Sequence, residues 1–358
     1  MEDPNLNPLD IWCPNIIDLI FQHLNVQQLL VLSEVAPDFS IYISTYKKFL
    51  KSVKFKINSS RSQIRSEIDL ANFLRNRLRN YENLELDGNE VVTNLNVLVK
   101  NFKTPLKSIS LTSMLFNRTV LLQNLFGAFR ETLEEVKMNS IFIFNCDRKV
   151  TLSLPRLTRL EMIECNDQEN AFIKRTSFVV NDCKDLETLK LLYAGVSEEN
   201  QKKLLKENKN IKDLTLSDVK DTFFASLPYE VEFKLEKFAI NFATGDLTRI
   251  KPNLSNFLES HLVHFEEIEI NGWIGLDVLE IIFKMPSIKI LRIRQALYAF
   301  MNLDTNELRN RLETNRSLKE LILTDDLSQY HSIWQNLLKK APELNRLCQN
   351  LRILITRS

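Results

Sequence analysis

The 358-residue sequence is poor in several residue types on which common functional sites depend. It has six glycines and no G-x-G-x-x-G or G-x-x-x-x-G-K-[ST] motif, so no phosphate-binding loop of that kind is predicted. Its five cysteines are scattered and never form a C-x-x-C pair. That pattern argues against a disulfide framework or a zinc site and favours a reducing compartment. The four histidines form no recognisable catalytic arrangement, and we expect no cofactor.

Charge and hydropathy exclude two further classes. The sequence has 47 basic and 46 acidic residues, so there is no excess positive charge to attract nucleic acid or an anionic membrane. No apolar run approaches the roughly 18 residues that a membrane-spanning helix requires. The acidic, polar start of the chain is not typical of a signal peptide. We therefore expect a cytoplasmic or nuclear protein that binds neither nucleic acid nor membrane.

The sequence does contain a repeated unit, L-x-x-L-x-L, with Ile, Val, Met, Phe or Tyr also allowed at the leucine positions. Successive copies start 23 to 31 residues apart, a period close to that of leucine-rich repeats. The copies begin at Leu50, Tyr81, Leu106, Leu133, Leu157, Leu186, Ile211, Leu235, Phe265, Ile288 and Leu318.

The period predicts the geometry of each copy. Because side chains alternate along a strand, positions 4 and 6 of the unit should point inward and positions 3, 5 and 7 outward. Helical apolar spacing fills several gaps between units: Ile64–Asn80, Val120–Arg130, Asn200–Asn208, Leu276–Lys284 and Glu307–Glu313. The predicted fold of residues 49–358 is thus an α/β leucine-rich-repeat solenoid, curved, with a parallel inner sheet and outer helices. We expect about 11 repeats, degenerate because only Asn89 and Cys165 fit the usual Asn or Cys at position 9.

Residues 1–48 are predicted to form three short helices. Pro14 suits a first helical turn, and Ile16, Ile20 and Leu24 follow at helical spacing. Asn25 and Gln28 have the spacing of a capping box that starts a second helix, and Pro37 suits the start of a third. So small a module cannot bury much apolar surface alone, yet nearly every turn is apolar on more than one side.

The segment Trp12–Ser44 resembles an F-box, whose pattern reads roughly L-P-x-E-I-L, I-F-x-x-L, D-L-L-x-L, V-C and W. The matching residues are Pro14, Ile16, Ile17, Ile20, Phe21, Leu24, Leu29, Leu30, Leu32 and Val35. The departures are Trp12 and Cys13 for Leu-Pro, Asn15 for the acidic residue, and Ala36 and Phe39 for the Cys and Trp.

This resemblance implies that the chain is a substrate receptor and not an enzyme. F-box proteins dock onto the Skp-type adaptor of cullin-RING ubiquitin ligases, whose catalysis resides in the RING subunit and its ubiquitin-charged partner enzyme. The repeat domain would then hold an unidentified protein substrate. The residues expected to bind the adaptor are Trp12, Pro14, Ile16, Ile17, Ile20, Phe21, Leu24, Leu29, Leu30 and Phe39.

The outward strand positions are the expected substrate surface, because solenoids bind partners there. Ile163 and Leu192 occupy position 7 of neighbouring units, where an apolar side chain gains nothing from the core. Trp273 is a second anomaly, since Trp and Arg are favoured at interface hot spots. The candidate substrate-binding residues are Arg159, Ile163, Lys190, Leu192, Tyr193, Trp273, Arg292 and Arg294.

Two other interpretations remain open at this point. The N-terminal helices would merely cap the repeats if the chain were a non-catalytic scaffold without a ligase role. The concave face of the sheet would carry a reaction if the chain were an enzyme, although no catalytic arrangement is apparent. Co-purification with the adaptor separates the first from the receptor hypothesis, and activity of the isolated chain is needed to support the second.

Overall fold

The structure is a computed structural model, and it describes most of the chain in segments. The described residues are 14–35, 37–46, 49–50, 53–58, 67–76, 81–89, 95–102, 104–143, 149–165, 177–227, 234–242, 251–294, 310, 315–325 and 352–357. They belong to two compact units, Met1–Cys146 and Asp147–Ser358.

The first unit begins with helices and continues as alternating strands and helices. The elements are α1 (Pro14–Gln22), α2 (Val26–Val35), α3 (Pro37–Thr45), β1 (Lys54–Asn58), α4 (Glu67–Asn76), β2 (Asn83–Asp87), α5 (Leu95–Asn101), β3 (Ser108–Phe116), α6 (Thr119–Phe129) and β4 (Glu135–Ile143). The four strands pair in chain order, and every pairing is parallel. Parallel neighbours need a crossover connection, which α4, α5 and α6 provide.

The second unit is a larger parallel sheet with helices between its strands. Its elements are β5 (Val150–Ser153), β6 (Arg159–Ile163), β7 (Phe178–Asn181), β8 (Thr188–Leu192), α7 (Glu198–Glu207), β9 (Asp213–Val219), a 3₁₀ helix (Asp221–Ser226), β10 (Lys237–Phe242), α8 (Pro252–Ser260), β11 (Glu267–Asn271), α9 (Leu276–Phe283), β12 (Ile290–Arg294), β13 (Glu320–Asp325) and β14 (Arg352–Arg357). Strands β6 and β8 to β14 pair in chain order, while β5 and β7 form a separate two-stranded sheet. The protein is therefore of the mixed α/β class with a large parallel sheet.

The predicted inward positions form the core. In β8, Leu189 and Leu191 are at most 1% exposed, whereas the alternate residues Thr188, Lys190 and Leu192 are half-buried. The same alternation recurs in β2, β6 and β11. The period-2 reading of the repeat is confirmed for these strands.

A left-handed residue recurs at position 8 of the unit. Positive φ occurs there in seven copies: Gly88, Ser113, Ser140, Glu164, Tyr193, Asp218 and Gly272. The left-handed residue breaks the alternation, so the next residue turns inward instead of outward. Position 9 is accordingly buried in five of these copies, at Met114, Ile141, Cys165, Ala194 and Val219, while Asn89 is exposed and Trp273 is half-buried.

The structure differs from the sequence expectations in several places. The first strand lies two residues later than the unit starting at Leu50 predicts, because Phe55 and Ile57, not Val53 and Phe55, are the buried pair in register with β2. The β5–β7 sheet was not predicted. A 3₁₀ helix, Asp221–Ser226, follows β9 where no helix was predicted.

The predicted helix Glu307–Glu313 lies, apart from Asn310, outside the described residues. Within the described segments, no helix combines the length and apolarity needed to cross a bilayer.

Candidate functional site

Helices α1 to α3 have a small core of their own. Ile17, Phe21 and Leu29 are each 2% exposed and pack with the buried Ile43. Phe49 and Leu50 complete this core, so it extends past the predicted boundary at residue 48. A variant that begins at residue 49 would therefore leave Phe49 and Leu50 without their partners.

Local interactions hold these helices in place. The predicted capping pair forms at the start of α2: the Gln28 backbone N–H donates to Asn25 Oδ1 at 2.9 Å, and the Asn25 N–H donates to Gln28 Oε1 at 2.8 Å. The Tyr42 hydroxyl donates to Asp18 Oδ1 at 2.8 Å, which ties α3 to α1. Burial, with help from Asp18, raises the pKa of Tyr42 to about 12, so the phenol stays a donor at neutral pH.

The residues expected to bind the adaptor do not share one environment. Ile17, Phe21 and Leu29 are covered by the chain itself, so in this structure they support the helices and offer no contact surface. Three more are partly buried against the same core: Leu24, Leu30 and Phe39. Ile20 is exposed, at 39%. Trp12 and the side chains of Pro14 and Ile16 lie outside the described residues.

Other apolar side chains of these helices are exposed, and the family pattern did not single them out for adaptor contact. Val31 and Val35 stand four residues apart on one face of α2 and are 54% and 69% exposed. Leu19 of α1 and Ile41 of α3 are each 58% exposed. The helical spacing in the sequence shows that several faces are apolar, but only packing decides which of them remain uncovered.

The first candidate substrate surface lies on β6 and β8. Ile163 and Leu192 are directly opposite each other in the parallel register, and both are half-buried. Arg159 and Lys190 lie on the same two strands, so four of the predicted residues are brought together. Tyr193 follows in the left-handed conformation, φ 51°, and its backbone N–H donates to Ser217 Oγ at 2.5 Å.

Charged side chains on this face pair with carboxylates. Arg159 Nη2 lies 2.6 Å from Glu161 Oε1, and Lys190 Nζ lies 3.0 Å from Asp213 Oδ2 on the next strand. Exposed pairs of this kind contribute little stability, typically below about 1 kcal/mol, but they neutralise the surface around Ile163 and Leu192.

The second candidate group, Trp273 with Arg292 and Arg294, lies farther along the same sheet. Strands β9 and β10 separate β8 from β11, a distance of about 14 Å at the usual strand spacing. Trp273 is half-buried, directly after the left-handed Gly272. Arg292 forms an ion pair with Glu267, and Arg294 Nη2 lies 3.1 Å from Glu269 Oε1. The two candidate groups are thus separate surfaces.

Between these groups, on β9 and β10, the residues at outward positions 5 and 7 are uncharged, whereas position 3 holds Asp213 and Lys237. Thr215 and Ala239 face each other at position 5, and Ser217 and Asn241 are in register at position 7. No role was predicted for these four residues, although their lack of charge is visible in the sequence.

The buried Cys183 and His261 do not form a nucleophile and base. Burial raises the pKa of the Cys183 thiol to about 12, so the reactive thiolate is scarce at neutral pH. His261 Nδ1 lies 2.9 Å from the Phe257 carbonyl oxygen, with the ring against Phe257 and Phe265. Both side chains therefore have a structural role where they lie.

A scan against protein-family models finds no match to the chain, and a search of curated proteins finds none. The F-box and leucine-rich-repeat resemblance therefore rests on the residue patterns alone.

Proposed function

We propose that this chain is a substrate receptor of a cullin-RING ubiquitin ligase, working in the cytoplasm or nucleus. In this proposal residues 1–48 are an F-box that binds the Skp-type adaptor, and residues 49–358 are a curved leucine-rich-repeat solenoid that binds a protein substrate. The chain carries no reaction itself.

One observation carries the adaptor half of the proposal. Helices α1 to α3 already have a closed core, yet Leu19, Ile20, Val31, Val35 and Ile41 remain exposed on them. Exposed apolar side chains concentrated on one small module are typical of a protein-binding surface. Because these side chains are 39–69% exposed, completing their burial against a partner helix would gain roughly 0.6–2 kcal/mol each, a fraction of the value for a fully exposed side chain.

The substrate half rests on β6 and β8. The apolar pair Ile163 and Leu192 lies on the same two strands as Arg159 and Lys190, which already have carboxylate partners. A ligand that covers the apolar pair therefore does not have to bury either of these charges unpaired. The recurring left-handed residue at position 8 supports the repeat interpretation, because it gives successive units the same exit from the strand. Holding both partners raises the effective concentration of substrate lysines near the ligase.

Co-precipitation of the purified adaptor with the full chain tests the adaptor half. The double change Ile20→Asp with Val35→Asp should abolish binding, because it puts two charges into an apolar interface. Pro14→Ala with Ile16→Ala, the change suggested by the family pattern, should also abolish it. Point variants are preferable to a deletion, since Phe49 and Leu50 share the core of the helices.

Ile68→Asp is the matched control. Ile68 lies on α4 and is 71% exposed, so the change adds a charge to the same unit outside the three helices. Adaptor binding should survive it. Unchanged binding in Ile20→Asp/Val35→Asp, with the variant still folded, would leave the helices as a cap and favour the scaffold interpretation.

A further inference from the structure

Two asparagines, Asn241 of β10 and Asn271 of β11, lie side by side on the outward face of the sheet. Both occupy position 7 of their units, and they are directly opposite each other in the parallel register. Each residue is half-buried. The usual strand spacing places their α-carbons about 4.8 Å apart, close enough for one carboxamide to bond to the other.

Among the described residues, neither carboxamide has a hydrogen-bond partner. The outward face does allow such bonds between neighbouring strands. Asn58 Nδ2 on β1 donates to Oδ2 of Asp87, the residue at position 7 of β2, at 3.0 Å. Asn241 and Asn271 instead each keep two N–H donors and an acceptor oxygen available to a ligand. Because both residues are half-buried, a ligand that bonds to them has fewer water molecules to displace than at an exposed residue.

The charged side chains beside the two asparagines are paired with each other. Lys237 Nζ lies 3.4 Å from Glu267 Oε2, and Arg292 also pairs with Glu267. Arg294 Nη2 lies 3.1 Å from Glu269 Oε1. Phosphate recognition requires clustered basic side chains that are available to the ligand. On these described strands the cations already have carboxylate partners, so the surface favours an uncharged ligand group.

A peptide main chain has the polar groups that match a carboxamide. Each peptide unit offers one N–H donor and one carbonyl acceptor, and a carboxamide offers the complementary oxygen and N–H groups. Thr215 and Ala239, at position 5 of β9 and β10, are short and uncharged, which leaves room for main-chain atoms close to the sheet. The asparagines and their surroundings therefore fit an extended peptide segment.

The two asparagines are continuous with the apolar pair on β6 and β8. Ile163, Leu192, Asn241 and Asn271 all occupy position 7, and only β9 separates Leu192 from Asn241. From β8 to β11 the distance is about 14 Å, and an extended chain advances about 3.3 Å per residue. About four residues therefore carry one segment from the apolar pair to Asn271.

We propose that Asn241 and Asn271 hydrogen-bond to the main chain of an extended substrate segment that crosses the sheet at position 7. Apolar side chains at the start of the segment pack on Ile163 and Leu192, and the next residues need only be uncharged. This inference rests on the proposed function, because the segment belongs to the protein substrate bound there. It separates side-chain recognition on β6 and β8 from main-chain recognition on β10 and β11.

Nuclear magnetic resonance of the full chain, labelled with nitrogen-15 only at asparagine, tests where the peptide binds. The probe is acetyl-Leu-Leu-Ser-Ala-Ser-Ala-amide. The side-chain NH₂ signals of Asn241 and Asn271, assigned from their single alanine variants, should shift as the peptide is added. Asn139 is the control: it occupies position 7 of β4 in the first unit, and its signal should not move.

Two further probes separate main-chain from side-chain recognition, with affinity measured by fluorescence anisotropy of labelled peptides. Replacing the four residues after Leu-Leu by Thr-Gln-Thr-Gln changes side chains only, so affinity should stay within about twofold. Methylating the main-chain nitrogens of the same four residues removes N–H donors. That probe should bind about tenfold more weakly, the effect of losing one or two hydrogen bonds.

The double variant Asn241→Ala with Asn271→Ala assigns this difference to the two asparagines. It removes both carboxamides without adding apolar bulk, so the methylated and unmethylated probes should bind to it with equal affinity. Asn139→Ala is the matched control, since it makes the same change at the same position of another unit. It should keep the wild-type affinities for both probes.

Stationary Asn241 and Asn271 signals in the wild-type chain would overturn the inference. Equal wild-type affinity for the methylated and unmethylated probes would do so as well, as would a strong preference between the two side-chain sequences or an equal loss in Asn139→Ala. The adaptor assay on the same proteins separates these outcomes from failure of the proposed function. Peptide binding at the asparagines without adaptor binding would reject the ligase role and leave the main-chain contact standing. Adaptor binding with stationary asparagine signals would reject this contact alone.

Discussion

Leu189 and Lys190 are consecutive residues of β8 that face opposite sides of the sheet. The Leu189 side chain is fully buried, while Lys190 Nζ pairs with Asp213 on the neighbouring strand at 3.0 Å. One residue therefore belongs to the core and the next to the candidate binding surface.

This relationship predicts unequal costs for the two alanine substitutions. Leu189→Ala should lower the free energy of unfolding by about 2–5 kcal/mol, because it leaves a cavity in a packed core. Lys190→Ala should change it by only a few tenths of a kcal/mol, since the side chain is part-exposed and its ion pair is screened by solvent. Chemical denaturation of both variants checks this. Equal losses would contradict the inward and outward assignment.

Gly272 should be intolerant of a side chain. Its φ of 136° is unfavourable for other residues, and an added Cβ would lie 3.0 Å from Phe242 Cβ. Gly272→Ala should destabilise the protein by about 1–3 kcal/mol. Gly127 is the matched control, because it is helical and a Cβ there has nothing within 4 Å. Gly127→Ala should stabilise by about 0.5–1 kcal/mol. Thermal melts that show the same sign for both substitutions would refute this account of Gly272.

Stability should fall in mild acid because of His261. Burial lowers the pKa of this side chain below the usual 6.5, and the Phe257 carbonyl contact and nearby His264 act in opposite directions on it. The unfolded chain therefore binds the proton more readily than the folded one. The contribution is present above pH 6.5 and is lost as pH falls through the folded-state pKa.

Melting temperatures at about pH 7.5 and about pH 5.5 measure this contribution. His261→Phe should show a smaller drop between the two conditions than wild type, since it removes the titrating group. His23→Gln, at an exposed position on the first unit, should keep the wild-type drop. An unchanged drop in His261→Phe would show that other groups cause the acid sensitivity.

The sequence predicts what depends on spacing, and it fails where distant residues meet. Leu189 and Leu191 are recognisable as core because alternation is a local property. Tyr193 and Glu164 are not recognisable as left-handed, since neither residue type favours that conformation; only Gly88, Asp218 and Gly272 at the equivalent position hint at it. The sequence also places β1 two residues too early. Val53, Phe55 and Ile57 are all apolar, so Val53 with Phe55 fits the pattern as well as the observed pair, Phe55 with Ile57.

The candidate sites show the same division. Ile163 and Leu192 were predicted to be adjacent from their positions in neighbouring units, and the register confirms their adjacency. The small cavity at the carboxyl ends of β8 and β9 depends on Gln201 of α7 meeting the ends of two strands, which no spacing rule encodes. Ile17 and Ile20 have similar apolar spacing, yet one is buried and the other exposed, because the packing of α1 against its neighbours decides between them.

Adaptor pull-down combined with proximity labelling in cells tests most directly whether the chain links two partners through two separate surfaces. Ile163→Asp with Leu192→Asp should lose the labelled substrate set but keep the adaptor. Ile20→Asp with Val35→Asp should lose the adaptor and keep that set. If both folded variants retain adaptor and substrate set as wild type does, the chain is not the receptor proposed here.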